Sequence, residues 1–329
     1  MSKNGSYNDV LIWNGLNFHW EVQGALLEYF YENNIYVTLC NIRPNNGHER
    51  EDEIYDDWHK LYARFGQHDT LEFDPGVLLD NVKYFKQVFL PTDDDYSFPD
   101  KYIDPTTTLC IDHYYKNRRP CIKKHFPISP WLHKDHWIIP SWKYISYEEK
   151  IDRLAKQERP KITFLGRASF PERLEQIARI SNFKDFDVQI ITQTFEYCEL
   201  IPDMFDYWNE PNIKVYPNVL STEMFELLAD STYIIYLPND AWWNKNALKA
   251  LDGHGSTGAL AMSYTTGCRL ACIEPITRGL DKRTFKSPVS WENLNDINSL
   301  DTEINVKQIF KERDAIINQR NKVLNEYII

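Results

Sequence analysis

The sequence predicts an α/β protein made of two α/β halves with parallel sheets, and three observations carry that expectation. Apolar runs without alternation, such as Tyr233-Ile-Ile-Tyr-Leu237, suit strands covered on both faces, as in a parallel sheet. Predicted strands alternate with predicted helices in both halves of the chain. A Gly-rich connection, Leu251-Asp-Gly-His-Gly-Ser-Thr-Gly258, lies between a strand and a helix, the arrangement that cradles an anion in such folds.

The first half opens with a strand at Asp9-Val-Leu-Ile-Trp13, a loop at Asn14-Gly-Leu-Asn-Phe-His19, a helix over Glu21 to Glu32 and a strand at Ile35-Tyr-Val-Thr-Leu39. Together they make a βαβ unit. Strands are also expected at Gln87-Val-Phe-Leu90 and Thr107-Thr-Leu-Cys-Ile111. Pro120 to Pro140 is rich in proline and aromatics and reads as loop. A charged helix is expected over Glu148 to Gln157, with Glu158-Arg-Pro160 as the linker.

The second half starts with a strand at Lys161-Ile-Thr-Phe-Leu165, a helix near Glu172 to Ile180 and a strand at Val188-Gln-Ile-Ile-Thr192. Lys214-Val-Tyr216 is a short strand, and Ser221 is placed to cap a helix whose Phe225, Leu227 and Leu228 face inward, with Leu220 and Phe225 as a hydrophobic staple. After the strand at Tyr233, Ser256-Thr257 can cap a helix stopped by Gly267, and a strand ends near Cys272. Past Pro275 the chain turns polar before a terminal helix over Val306 to Tyr327.

With 329 residues, 43% hydrophobic and 26% charged, the chain is large enough for two domains of roughly 150 residues each. A net charge of −11 argues against a general nucleic-acid binder, while leaving a small anionic ligand open. The N-terminal residues have no apolar core of signal-peptide length, and no window approaches the ~18 apolar residues of a membrane helix. A soluble, cytoplasmic protein is expected. Cysteines at 40, 110, 121, 198, 268 and 272 are scattered without a Cys-x-x-Cys pair, which points to reduced, buried thiols.

Gly253, Gly255 and Gly258 around Ser256-Thr257 would turn backbone N–H groups and the positive end of a helix dipole outward, where a diphosphate fits; the plainer alternative is an ordinary connection. The order and residues of this region resemble the nucleotide-binding domain of GT-B glycosyltransferases of the group 1 type. Phe164-Leu-Gly-Arg167 followed by Pro171-Glu-Arg173 is similar to that family's Gly-Arg and Pro-Glu-Lys segments. Val215-Tyr-Pro-Asn-Val-Leu220 with Glu226 to Leu237 is similar to its base-contacting loop, helix and strand, and Asp252-Gly-His-Gly255 sits where it has Glu-Gly-Phe-Gly. The family's second glutamate, eight positions after the first, falls on Leu260. Retention or inversion is left open.

The resemblance implies two Rossmann-like domains facing each other across a cleft: an acceptor-side domain over 1–157, a nucleotide-sugar-binding domain over 158–305, and a helix over 306–329 packing back on the first domain. It implies transfer of a hexose, pentose or deoxyhexose from a nucleotide sugar to a glycan or other hydroxyl acceptor, with no cofactor and no metal. Donor-binding residues would be Arg167, Arg173, Asn218, Val219, Asp252, His254, Ser256, Thr257 and Gly258. Arginine forks and helix N–H groups can stabilise the charge that builds on the leaving phosphate.

An inverting reaction also needs a general base. His19, in the loop after the first strand, is the first candidate, because that loop opens at the carboxyl edge of the sheet. Gly15, Asn17, Asp112 and His113 are further acceptor or cleft candidates, although Asp112-His113 reads first as a solvent-facing turn. Trp131, Trp137, Trp142, Trp242 and Trp243 could stack on sugars or fill the core. Other readings remain: a nucleotide-sugar epimerase or hydrolase, a metal-dependent GT-A-type transferase using Asp93 and Asp95, and a non-catalytic nucleotide- or glycan-binding module. His133-x-x-His136 lacks the partners of a zinc set.

Overall fold

The computed structural model describes residues 9–15, 20–41, 51–66, 68–71, 75–92, 96–112, 119–128, 135–165, 177, 185–191, 212–216, 219–236, 258–273, 280, 285–291, 297 and 299–328. The chain divides into two compact units: residues 1–142, 252–258 and 316–329 form the first, and 143–251 and 259–315 the second. The division falls N-terminal to the Glu158-Arg159-Pro160 segment.

The first unit is built on a six-stranded parallel sheet: β1 (Val10–Asn14), β2 (Val37–Asn41), β3 (His68–Leu71), β4 (Gln87–Leu90), β5 (Thr108–Asp112) and β6 (Lys124–Pro127) in the order β3-β2-β1-β4-β5-β6. Its helices are α1 (Trp20–Glu32), α2 (Glu51–Tyr62) and α3 (Pro75–Asp80). The apolar runs become central strands because both faces are covered. Leu11, Trp13, Val88, Leu90 and Cys110 pack with Leu78, Val82, Phe85 and Phe98. Strand alternation turns Phe89 to the opposite face, where its ring meets Phe30 of α1 at 5.4 Å.

Two boundaries depart from the sequence expectation. Asn34, at φ 56°, ends α1 in the left-handed conformation, and the Ile35 N–H donates back to the Phe30 carbonyl at 2.9 Å. Ile35 is thus consumed by the helix end, and β2 starts at Val37. The stretch from Pro120 to Pro140, read as loop, contains β6. β6 pairs with β5 alone, and an edge strand tolerates a proline such as Pro127 because one side of its backbone has no ladder to complete.

Trp142 lies in the core of this unit at 2% exposure and Trp137 is buried, so both tryptophans are packing residues and not sugar-stacking surface. Trp142 lies against Gly24 of α1, and its ring also meets Tyr62 and Phe65 at 6.1 and 5.6 Å. Residues 316–325, the last turns of helix α7 (Val306–Asn325) once α4 (Tyr147–Ala155), α5 (Ser221–Ala229) and α6 (Gly258–Thr266) are numbered, also belong to the first unit. There Arg320, fully buried, donates to Glu28, the Ala25 carbonyl and the Ser141 carbonyl at 3.1, 2.8 and 3.1 Å.

The second unit repeats the plan with β7 (Lys161–Leu165), β8 (Asp187–Ile191), β9 (Ile213–Tyr216), β10 (Tyr233–Ile235), β11 (Arg269–Ile273) and β12 (Val289–Trp291), all parallel, in the order β9-β8-β7-β10-β11-β12. Ile162, Phe164, Val188, Ile190, Tyr233, Ile235 and Ala271 form one packed face. The Ser146 hydroxyl caps α4 by accepting the Glu149 N–H at 3.0 Å. Gly267, at φ 69°, ends α6 where expected. Ser221 does not cap α5. Leu220 holds the cap position, and Ser221 is the first helical residue, with no partner for its buried hydroxyl among the described residues.

α5 is closed at its other end by two buried donors. The Lys150 ammonium reaches the Ala229 and Ser231 carbonyls at 2.7 and 2.6 Å, and the Cys268 thiol donates to the Leu228 carbonyl at 2.9 Å. Burial holds the Lys150 pKa below its ordinary value. Lys150→Met keeps the aliphatic stem but takes the ammonium from both carbonyls, of which Ser231 keeps the Cys268 thiol at 3.2 Å, at about 1–3 kcal/mol for a carbonyl left unpaired, offset in part because a charge no longer has to be buried. A net loss of about 2 kcal/mol is expected in urea unfolding, and an unchanged midpoint would remove Lys150 from the support of α5.

Both sheets share one strand order, in which the direction of winding reverses between β1 and β4 in the first unit and between β7 and β10 in the second. Ligands of open parallel sheets bind outside the carboxyl ends of the strands at such reversals. Each of those edges is a candidate site within its own unit.

Candidate functional site

At the carboxyl edge of the first unit, β1 ends in Asn14, whose side chain is fully buried. Gly15 follows; Asn17 and His19 lie outside the described residues. β4 is followed by Pro91 and the buried Thr92, while Asp93 and Asp95 are outside the described residues. The chain beyond is pinned beneath β1. Trp13 Nε1 donates to Ser97 Oγ at 2.9 Å, the Trp13 and Phe98 rings meet edge-on at 5.3 Å, and Arg119 donates to the Phe98 carbonyl at 2.7 Å. Arg119 also pairs with Asp100 and holds that carboxyl below the usual carboxylate range.

Asp112 ends β5 and is fully buried, so the expected solvent-facing turn is corrected at this residue. Its Oδ1 lies 2.5 Å from His125 Nδ1, and His125 Nε2 lies 2.9 Å from the Ile122 carbonyl. Cys110, Asp112 and His125 bring their ligand-type atoms within 4.8 Å of one another. The Ile122 carbonyl can only accept, so Nε2 carries a proton, and Nδ1 faces the Asp112 carboxylate. Both imidazole nitrogens are engaged within the unit, which makes the pair a brace between β5, β6 and the 119–122 turn. His113 and His133 are outside the described residues. His136 lies 3.6 Å from Glu326 across Nδ1.

In the second unit, β7 ends at Leu165, and the residues that follow it in sequence, Gly166 and Arg167, lie outside the described residues, as do Arg173 and Asn218 and, in the 252–258 segment that groups with the first unit, Asp252, His254, Ser256 and Thr257. Val219 is described and buried, two residues before the start of α5. Gly258 is exposed as the first residue of α6, with open space around the position a Cβ would take. The rest of α6 is buried. No helix among the described residues is long and apolar enough to cross a membrane.

No family model matches the chain, and no curated protein matches it in sequence. Its similarity is to solved structures. AviGT4, a glycosyltransferase involved in avilamycin A biosynthesis, matches at a TM-score of 0.60 and 10% identity over 98% of this chain and 97% of its own. Anabaena HepE, in complex with UDP and glucose, matches at 0.54 and 8% over 97% and 99%. A glycosyltransferase from Rickettsia africae matches at 0.52 and 11% over 98% and 94%. The fold is that of GT-B glycosyltransferases. In GT-B terms the second unit holds the strand, β7, that precedes Gly166-Arg167, and the first holds the strand that precedes His19.

Sequence reasoning missed His125, Arg119, Lys150 and Asn14 as placed residues. For His125 a signal existed: Lys124-His-Phe-Pro-Ile128 contains a short strand whose faces alternate, obscured by the surrounding prolines. For Arg119 and Lys150 the partners lie far along the chain, and for Asn14 burial depends on the whole sheet, so no local pattern marks them.

Proposed function

We propose that this protein is a glycosyltransferase that moves a sugar from a nucleoside-diphosphate sugar to a glycan or other hydroxyl acceptor. The observation that carries the reading is the duplicated strand order, with Gly166-Arg167 directly following the strand at the reversal of the second sheet. A group at that position is suited to the phosphates of a donor. Support also comes from the full-length match to glycosyltransferase structures, of which HepE carries UDP and glucose.

In this proposal residues in the C-terminal half of the sequence bind the donor. Arg167 and Arg173 hold the diphosphate, the N–H groups from Ser256 to Gly258 face its oxygens, and Asn218, Val219, Asp252 and His254 surround the nucleoside and sugar. Leaving-group charge is stabilised by these fixed dipoles and cations, so no metal is required. The first unit binds the acceptor, with His19 as general base and Gly15 and Asn17 beside it. The sugar is a hexose, pentose or deoxyhexose, and the enzyme works in the cytoplasm.

The test is a thermal-shift screen against UDP-, GDP-, dTDP- and CMP-sugars, followed by calorimetry on Arg167→Ala. A donor at 100 times its dissociation constant should stabilise the wild type by about 2.7 kcal/mol. Arg167→Ala should weaken binding of the matching nucleoside diphosphate by about 1.5–3 kcal/mol, the range of a charge-assisted hydrogen bond, while the bare nucleoside is little affected. Stabilisation by none of the nucleotide sugars would overturn the function. Equal affinity in wild type and Arg167→Ala would overturn the phosphate role of Arg167.

A further inference from the structure

Among the described residues of the first unit, nothing pairs with the buried side chain of Asn14. Asn14 ends β1, the strand at the winding reversal, and it is level with Asn41 of β2 in the parallel ladder. Its side chain is 0% exposed. Neither the amide oxygen Oδ1 nor the amide nitrogen Nδ2 has a hydrogen-bond partner among the described residues. Val10 and Ile12, the residues of β1 that share its face by strand alternation, are apolar and buried. An aliphatic side chain at position 14 would continue that pattern without cost, whereas a buried, unpaired carboxamide is costly and calls for a partner.

We propose that Asn14 binds a pair of sugar hydroxyls at the carboxyl edge of the first sheet, which makes it a specificity-determining residue for the acceptor. The proposal rests on the glycosyltransferase reading for the class of ligand. Its chemistry follows from the side chain. A carboxamide offers an acceptor oxygen and two N–H donors in one plane, and carries no charge. A hydroxyl both donates and accepts, so two neighbouring sugar hydroxyls satisfy both ends of the amide at once. A phosphate accepts only and would leave Oδ1 unpaired; a cation would leave Nδ2 unpaired. Position agrees with chemistry, because the β1/β4 reversal is where an open parallel sheet receives its ligand.

Asn14→Leu, close in volume, tests this by thermal unfolding alone, with 100 mM glucose, galactose, mannose or N-acetylglucosamine, and with the nucleotide sugars. General stabilisation by concentrated sugar acts on both proteins equally and cancels in the difference. The expected result is a folded variant at least as stable as the wild type, and at least one sugar that raises the wild-type Tm by about 2 °C more than that of the variant. Equal shifts for all four sugars overturn the proposal. A destabilised variant with equal shifts does so too, and shows that the amide has a structural partner such as a buried water. If Asn14→Leu does not fold, Asn14→Ala carries the same comparison without added bulk. The nucleotide arms report on the donor: if they stabilise neither protein, the glycosyltransferase reading fails, whereas lost sugar discrimination with intact nucleotide shifts is a failure of Asn14 alone.

Discussion

Glu28→Leu is expected to destabilise the first unit by about 3–5 kcal/mol, the scale for removing one partner of a buried ion pair. Glu28 and Arg320 are both buried, and their 3.1 Å contact joins α1 to the last turns of α7 across 292 residues of sequence. Burial already disfavours the charged form of Arg320, and Glu28 is the foremost influence that opposes it. Without Glu28 the guanidinium keeps the Ala25 and Ser141 carbonyls as partners but loses its foremost countercharge. For a unit of this size the melting temperature should fall by roughly 2–4 °C per kcal/mol. The double variant Glu28→Leu/Arg320→Met should recover much of the loss, because apolar side chains of similar volume avoid the desolvation of both charges. Thermal unfolding followed by circular dichroism measures both. A single variant within about 1 kcal/mol of wild type would mean that the pair contributes little to docking the terminal helix.

Gly24→Ala is expected to cost about 3 kcal/mol, although in an exposed helix the same change stabilises by about 0.8–1.0 kcal/mol. An added Cβ would lie 1.3 Å from Trp142 Cζ3 and 1.9 Å from Cε3. Trp142 cannot retreat easily, since Tyr62 and Phe65 pack on its ring. Overpacking on this scale has to shift the helix or the ring. Gly24→Ala with Trp142→Leu should recover part of the loss by opening space for the methyl group, and a near-additive double variant would place the strain elsewhere. A stabilised single variant would show that propensity outweighs the packing of Trp142 on α1.

Much of the architecture was legible because it is written locally. β4 and β7 were placed at their observed bounds from short apolar runs, and Gly267 ends α6 as its position after the helical run suggests. Where expectation and structure part, a neighbouring element has claimed the residue. Ile35 has the composition of a strand but its N–H closes α1, and Ser221 has the chemistry of a cap but sits one residue inside the helix. The proline-rich stretch hid β6, which is possible only because it lies at the sheet edge. Of the expected site residues, Gly15, Val219, Gly258 and Asp112 fall among those described, and Asp112 is drawn into a buried brace by a histidine that had been read as loop.

The amino-acid sequence by itself determined the α/β class, the alternation of strands and helices in two halves, and the residue types available for phosphate and sugar. Those properties depend on periodicity and on neighbours within a few positions, where side-chain direction follows from backbone repeat alone. Only the tertiary structure decided which strands are adjacent, and hence that β1/β4 and β7/β10 are the reversals. It likewise decided that Asp112 meets His125, that Arg320 meets Glu28, that Trp142 needs Gly24, and that Asn14 is buried with its amide unpaired among the described residues. Each of these depends on surfaces brought together from distant parts of the chain, where burial sets the cost of a charge, a methyl group or an unmet hydrogen bond.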